Sequence, residues 1–492
     1  MNIAEALDQS FSQRPAHPAI EDGERIASYA DLAALTRRCA AGLRRLGVGR
    51  GDFVVLALPD SIEHVALICA LARIGAVTAS LDGASPAVDL RRAIAGFTPA
   101  AVVTPDGARL FAELPATALA DVVAAGEDEL PREPYVDPDA PLMLVQSSGS
   151  TGVPKRLLLT HRHMAARNRR LIAAMSLNRD DRYFMAVPLS FLSGRRRCLS
   201  LLSLGGTVVF NRTTSVDGAL ATLRDRRISY TALTPTHLRL LLNGLPGDQP
   251  FCPDLRATVS AAPVTPVERL RARRRLTPHL FESYGTNELG DLVLGTPQDQ
   301  DARPGDTGRV LPGVQAQVVD EAGALLPPGQ SGRIRFAVPE SPTAYLDAPE
   351  GTARHFADGW FYPGDHVVLD GEGSMRFLGR EDDAINNSGV KFYPAEVEAV
   401  LASHPRVADA AVVATPHPVF GEVAVAFVVF RGRPPHPALG AYCAERLAAH
   451  KRPVAFLPLA KMPLVRPGKP DKPGLKAMLL EVLAREGANP PR

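Results

Sequence analysis

Cysteine is scarce in this chain of 492 residues: Cys39, Cys69, Cys198, Cys252 and Cys443 are the whole supply. They are far apart, odd in number and form no C-x-x-C pair. That excludes a disulfide framework or a thiolate zinc site and suits a reducing, cytoplasmic setting. An excess of one charge is also missing, with 55 basic against 53 acidic residues and a net charge of +2. With no RRM, helix-turn-helix or zinc-finger spacing either, nucleic acid is not an expected partner. No run of eighteen apolar residues is present, so no membrane span is expected. The first residues, MNIAEALDQSFSQRP, carry acids and lack an apolar core, unlike a signal peptide. Low-complexity tracts, internal repeats and long linkers are absent too.

The composition that remains is globular, 46% hydrophobic and 22% charged, and the length leaves room for roughly two to four structural units. Short apolar runs alternate with amphipathic segments. FVVLAL (Phe53 to Leu58) reads as a buried strand, and SIEHVALICALARIGA after it as a helix with Ile62, Val65, Cys69 and Ile74 near one face. AAVVTP, PLMLVQ, GGTVVF, ISYTAL and ATVSAA are further strand candidates. This alternation predicts an α/β fold of parallel-rich sheets packed with helices. After about residue 300, segments such as VQAQVVDEAGALLPPGQSGRIRFAV read as a β-rich subdomain of antiparallel strands and Gly/Pro turns. Near Arg380 a small α+β unit begins: a helix AEVEAVLAS, strands ADAAVVA and VAVAFVVF, and a helix around Ala438 to His450. The expected division is a large N-terminal domain, 1–379, and a small mobile C-terminal domain, 380–492.

One loop carries chemistry. PLMLVQ runs into SSGSTGVPK (Ser147 to Lys155). Gly149 and Gly152 let backbone N–H groups converge on phosphate oxygens without Cβ interference. Ser147, Ser148, Ser150 and Thr151 add hydroxyl donors, and Lys155 adds a positive charge. The loop is not a Walker A motif, because Lys155 follows Pro154 and precedes Arg156. Alone, such a stretch reads as a surface turn.

SSGSTGVPKRLLLTHRHM resembles the phosphate loop of the adenylate-forming superfamily: acyl- and aryl-CoA synthetases, adenylation domains of peptide synthetases, and luciferases. Further motifs follow in the family's order. SAAP (Ser260, Ala261, Ala262, Pro263) resembles its adenine-binding turn, with Ser260 where Gly is usual. ESYGTNE resembles its YGxTE motif. Glu282, Ser283, Tyr284, Gly285 and Asn287 are thereby assigned to the nucleotide site, with Tyr284 against adenine and Asn287 in place of Thr. Glu288 is the implied Mg²⁺ ligand and a catalytic residue, as a hard cation prefers carboxylate oxygen. GWFYPGD resembles the motif whose Asp, here Asp365, accepts from the ribose hydroxyls. GREDDAINNSGVKFYPAEVE resembles the hinge and first helix of the small domain. By that match Arg380 contacts ribose and phosphate, Asp382 is the hinge, and Gly389 lines the channel for the acceptor's thiol arm. MPLVRPGKPDKPGLK resembles the closing motif, which makes Lys469 the adenylation lysine. The resemblance spans roughly residues 10 to 480.

It implies an enzyme, an AMP-forming acid–thiol ligase. ATP and Mg²⁺ activate a small carboxylic acid as acyl-AMP, and CoA or the phosphopantetheine arm of a carrier protein accepts the acyl group. VPLSFLSGRRRC resembles the acid-side motif, in which Phe191 takes the position of a His common in CoA ligases. Leu192 stands where amino-acid-activating relatives carry Asp, so an aryl or aliphatic acid is expected. Thr234, at a strand-to-helix junction, falls by analogy near the pocket. Arg195, Arg196 and Arg197 read as a solvated face or a partner contact. A sharper alternative pairs Arg195 with a second anionic group on the substrate. The leading function is an aryl or aliphatic acid–CoA ligase. The alternatives are a stand-alone enzyme loading a carrier protein, an oxygenase of the luciferase type, and a non-catalytic protein that binds nucleotide or acyl-adenylate.

Overall fold

The computed structural model describes residues 2–85, 87–108, 116–125, 134–147, 155–262, 264–432, 436–465 and 469–486. The chain forms a mixed α/β fold whose two largest sheets share one core. Five strands run parallel side by side in the larger sheet: Thr207–Phe210, Arg182–Met185, Tyr230–Leu233, Arg256–Val259 and Leu280–Thr286. Thr207–Phe210, Tyr230–Leu233 and Arg256–Val259 are runs read from sequence, while Arg182–Met185 and Leu280–Thr286 escaped that reading; all but Leu280–Thr286 are buried almost throughout. At Leu280–Thr286 the pattern changes. Gly290–Gly295 returns antiparallel, and Gly308–Val310, Ser374–Arg380, Asp365–Leu369 and Ser331–Ala337 continue the sheet in antiparallel fashion. The β-rich region after residue 300 is therefore an extension of the main sheet.

The second sheet has six strands. Ala101–Thr104, Phe53–Leu56, Val77–Ser80 and Pro141–Ser147 are parallel, and Lys155–Thr160 closes an antiparallel hairpin on the last of them. Helices Ile3–Gln13, Ile62–Ile74, His161–Met175 and Leu192–Leu204 contribute to a core that includes Val54, Leu56 and Met143 of this sheet and Tyr183, Val208 and Tyr230 of the larger one. The outer face of the larger sheet carries Val216–Asp225, Pro235–Gly244 and Pro266–Arg275. Position between two sheets explains one departure from the sequence reading. Ile62–Ile74 is buried on nearly all sides, with only Glu63 and Arg73 partly open. A helix covered all round needs no polar face.

The larger sheet's last strand ends at Arg380. After a 3₁₀ turn, Glu381–Asp383, a five-stranded sheet begins with Ile385–Asn387 and is built on the long hairpin Val407–His417 and Gly421–Phe430. It has its own cores, one around Ile385, Phe392, Val397 and Val428 and another around Val413, Phe427, Leu475 and Leu479. The helix read around Ala438 to His450 is shorter, His436–Ala444, with a separate 3₁₀ turn at Ala449–Lys451. No described helix is long and apolar enough to cross a membrane.

Candidate active site

The site residues gather where the parallel strands of the larger sheet end. In Leu280–Thr286 and its partner Gly290–Gly295, the chain must turn tightly against itself. A Cβ on Gly285 would lie 2.3 Å from the carbonyl oxygen of Gly290, so glycine is the residue that fits. Tyr284 beside it is held between Phe336 (ring centroids 5.9 Å apart) and Phe377 (6.2 Å). Its hydroxyl donates to Asp365 Oδ2 at 2.5 Å. Asp365 opens the strand paired with Arg380, whose Nε is 3.6 Å from Asp365 Oδ1. Burial first, then the Asp365 charge, pushes the Tyr284 phenol well above its usual range and keeps it a donor. Three residues from separate sequence motifs thus form one polar group.

A second group lies at the hairpin tip. Glu288 is buried and accepts from the Tyr345 hydroxyl at 2.7 Å. Lys155 stands over the Tyr345 ring (5.3 Å to its centroid), and its Nζ donates to His355 Nε2 at 2.5 Å. The other ring nitrogen of His355 donates to the Tyr362 carbonyl at 2.7 Å, which fixes a neutral tautomer. Burial and the nearby Arg354 lower the Lys155 pKa, while Glu288 opposes the shift. Ser147 and Lys155 are paired across two antiparallel strands of the second sheet. Asn287 Nδ2 reaches the Gln146 carbonyl at 3.5 Å and links that hairpin to the Tyr284–Glu288 turn. Ser148, Gly149, Ser150, Thr151, Gly152 and Pro263 lie outside the described residues. Ser147 is described as backbone, as is Lys469, which pairs with Val465 in a two-stranded ribbon.

Other sequence assignments fall nearby or apart. Ser260 follows the strand Arg256–Val259 and donates its N–H to Leu233, and Ala261 takes φ of +83°. Ala262 is the last described residue of that turn. Glu282 faces Arg269 at 3.5 Å, and burial raises its pKa to about 7. Asp382 sits in the 3₁₀ turn and accepts from Arg354 at 2.9 Å. Gly389 adopts φ of +85° in an open turn, with nothing near the place of a Cβ. Phe191 and Leu192 begin the helix Leu192–Leu204. The Thr234 hydroxyl caps Pro235–Gly244 by accepting from His237 N–H.

The reading of Arg195, Arg196 and Arg197 as a solvated face or partner contact is overturned. They are 2%, 4% and 2% exposed, because their helix packs against the larger sheet and is covered by the helices Ile3–Gln13 and His161–Met175. Arg196 donates to Asp291 Oδ2 at 2.7 Å, and Arg197 to the Tyr230 hydroxyl at 3.0 Å. Arg195 lies near enough to the buried His64 to depress it further, after burial. Burial brings Arg195 itself down to about 10.

Several contributors escaped the sequence reading. Arg167 donates to the carbonyls of Asn287 (2.9 Å) and Glu288, and Arg170 to those of Leu289 (3.3 Å) and Asp291 (3.1 Å). Together they clamp the turn that presents Glu288. Tyr345, His355 and Asp291 lie between motifs, and no local pattern marks them.

Fold and site together define an enzyme that handles an adenosine nucleotide beside a buried carboxylate and a lysine. The chain belongs to the AMP-binding enzyme family of the adenylate-forming superfamily: the family's sequence pattern matches residues 7–346, and that of the AMP-binding enzyme C-terminal domain matches residues 396–469. It is 29% identical to an indoleacetate–CoA ligase of Aromatoleum aromaticum, over 97% of this chain and 98% of the relative. It is 30% identical to a feruloyl-CoA synthase of an Amycolatopsis species, over 92% of this chain and 94% of that one. Among solved structures, it matches o-succinylbenzoate CoA synthetase from Bacillus subtilis in complex with its acyl-adenylate. There the TM-score is 0.88 and the identity 25%, over 96% of this chain and 97% of the other.

Proposed function

We propose that this protein is an ATP-dependent acid–thiol ligase that forms an acyl-adenylate and then a thioester, with an aryl or aliphatic acid as substrate and CoA as acceptor. In the first half-reaction a carboxylate oxygen attacks the α-phosphorus of ATP, the bond to the bridging oxygen breaks, and pyrophosphate leaves. In the second the acceptor thiol attacks the acyl carbon, AMP departs with the electron pair, and the thiol proton passes to solvent. The observation that carries this reading is the convergence of Tyr284, Asp365 and Arg380 on one side of a tight turn and of Glu288, Tyr345 and Lys155 on the other.

The nucleoside belongs at the first group. A carboxylate has lone pairs beyond the one that accepts from Tyr284, so Asp365 suits a ribose diol. The adenine is assigned to the segment Ser260 to Pro263 together with Tyr284. The phosphates belong at the second group, with Lys155 and the loop from Ser147 to Gly152. Glu288 would hold Mg²⁺ together with phosphate oxygens of the nucleotide, since Mg²⁺ takes few protein ligands and prefers oxygen. When bound, it neutralises charge on the leaving pyrophosphate. Lys469 bridges the attacking carboxylate and the α-phosphate, where a cation stabilises the transition state most. The expected domain boundary, between residues 379 and 380, adjoins the end of the larger sheet's last strand at Arg380 and the connecting turn Glu381–Asp383 that follows. The small domain turns about Asp382 between half-reactions and brings Gly389 to the path of the thiol. A carrier-protein phosphopantetheine presents the same thiol as CoA and is the second acceptor to test. The cytoplasm is the expected setting, supported by five cysteines that are free and buried.

The test is ATP–pyrophosphate exchange with a panel of acids, followed by mass detection of thioester with CoA or a carrier protein. Exchange that depends on an acid is expected. Absence of exchange with every acid would favour a nucleotide-binding protein without catalysis. Lys469→Ala is expected to lower exchange by about a hundredfold or more; near-wild-type exchange would remove its assigned role.

A further inference from the structure

Two arginines of the helix Leu192–Leu204 stand beside the reaction site. Asp291 is tied to that site by the backbone: it faces Gly285 across the hairpin and accepts from Ser283, the neighbour of Tyr284, at 3.1 Å. Arg196 bonds Asp291 directly, and Arg197 Nη2 lies 3.9 Å from its other oxygen. Arg197 then reaches Tyr230, whose ring packs against Tyr183 at 5.4 Å between centroids.

The charges in this cluster do not balance. Among the described residues, Arg167, Arg170, Arg196 and Arg197 surround the turn from Asn287 to Asp291, and the facing carboxylates are Asp291 and Glu288. Arg167 and Arg170 are satisfied by neutral carbonyls alone, and Glu288 also faces Lys155. Burial, then Arg196 and Arg170, pull the Arg167 guanidinium down to about 9. Among the described residues, the buried Arg196 Nη1 and Tyr183 hydroxyl have no hydrogen-bond partner, and neither do Nε and Nη1 of the neighbouring Arg195. Buried cations in excess are costly unless an anion with good hydrogen-bond geometry meets them. A wholly apolar acyl pocket would have no use for this arrangement.

We propose that Arg196 and Arg197, oriented by Asp291, form a subsite for a second anionic group on the acid, so that the preferred substrate is a compact carboxylic acid bearing a further carboxylate, sulfonate or phosphonate. The proposal rests on the ligase reading and deepens it. It places the second-anion role on Arg196 and Arg197, which touch the strand pair of the nucleotide site, and not on Arg195, which faces His64. The acid lies with its reactive carboxylate toward the α-phosphate and its second anion toward the two guanidinium groups.

Matched acids test this in the exchange assay: benzoate against terephthalate, butyrate against succinate, and butyrate against 3-sulfopropionate. The wild-type protein is expected to favour the dianionic member of at least one pair by about tenfold or more in kcat/KM. Arg197→Met is expected to bring that ratio near one, mostly through a higher KM for the dianionic member. Equal use or preference for the uncharged member in every pair would overturn the proposal and leave the ligase reading standing. So would preference for a cationic analogue such as 4-(aminomethyl)benzoate, which would pair with Asp291. Exchange with no acid at all would remove the ligase reading itself and the proposal with it. Should Arg197→Met fail to fold, Arg197→Lys and the wild-type ratios decide, since the ratios need no variant.

Discussion

Ala261 adopts φ of +83°, a backbone region that costs a residue with a Cβ about 1 kcal/mol or more. It sits in the SAAP turn, and Ala261→Gly is expected to raise stability by about 1 kcal/mol, read as a higher midpoint in urea unfolding. Glu288 is held by one phenol, so Tyr345→Phe frees a carboxylate oxygen without altering packing. A fall of several-fold in exchange rate is expected, against about a hundredfold for Glu288→Gln, which removes the charge itself. Asp291 links pH to stability. Burial opposes its charge, yet Arg196 and Arg197 outweigh burial and hold the carboxyl down at about 2. Its folded pKa lies below the unfolded value near 3.9. Its contribution, about 2 kcal/mol, is therefore present above pH 4 and lost as the pH falls toward 2. The urea midpoint of the wild-type protein should drop more steeply over that window than that of Asp291→Asn.

Among elements, those with short-range signals were legible from sequence. The strands beginning at Phe53, Ala101, Pro141, Thr207, Tyr230 and Arg256 stand where apolar runs fell between turn residues. The motif turns were legible because glycine, proline and carboxylates are chemically distinctive. The helix Leu192–Leu204 misled, as three consecutive arginines normally mark an open face. What reversed that meaning was the packing of the helices Ile3–Gln13 and His161–Met175 over it, a long-range event with no local trace. The helix Lys472–Glu486 was hidden by its Pro- and Gly-rich start. Proline is tolerated in a first turn, and the Asp471 side chain accepts from Gly474 N–H at 3.0 Å. The short helix Pro349–His355 couples two places: His355 holds Lys155, and Arg354 holds Asp382, the proposed hinge residue. Arg354→Ala is expected to change thioester formation from preformed acyl-AMP more than exchange, as a rapid-quench comparison of the half-reactions would show. Equal effects on both would remove the coupling.

At the scale of the whole molecule, the described hydrophobic clusters fall on one side or the other of residues 381–383. Those containing Leu56, Leu241, Phe336 and Leu144 use residues up to Phe377, and those containing Phe392 and Leu475 start at Ile385. Contacts across the divide include the ion pairs of Arg239 with Asp409 (3.7 Å) and Lys391 with Glu321 (2.9 Å), and the buried Tyr393 ring packed on His366 at 5.1 Å between centroids. Ion pairs that are largely exposed contribute little, about 0–1 kcal/mol each, so Tyr393 is the packed contact that reorientation of the smaller body would have to break. Asp382→Pro, which restricts the backbone in the connecting turn, should slow the cycle of two half-reactions more than either one measured alone.

The three-residue turn Glu381–Asp383 is thus a seam as well as a pivot. Two polypeptides divided there would each carry a complete interior, and the larger would keep Tyr284, Glu288, Asp365 and Arg380 without Lys469. Mixed in solution, they should restore turnover in proportion to the concentration of the smaller piece. The seam would then serve as a joint for exchanging C-terminal bodies between relatives.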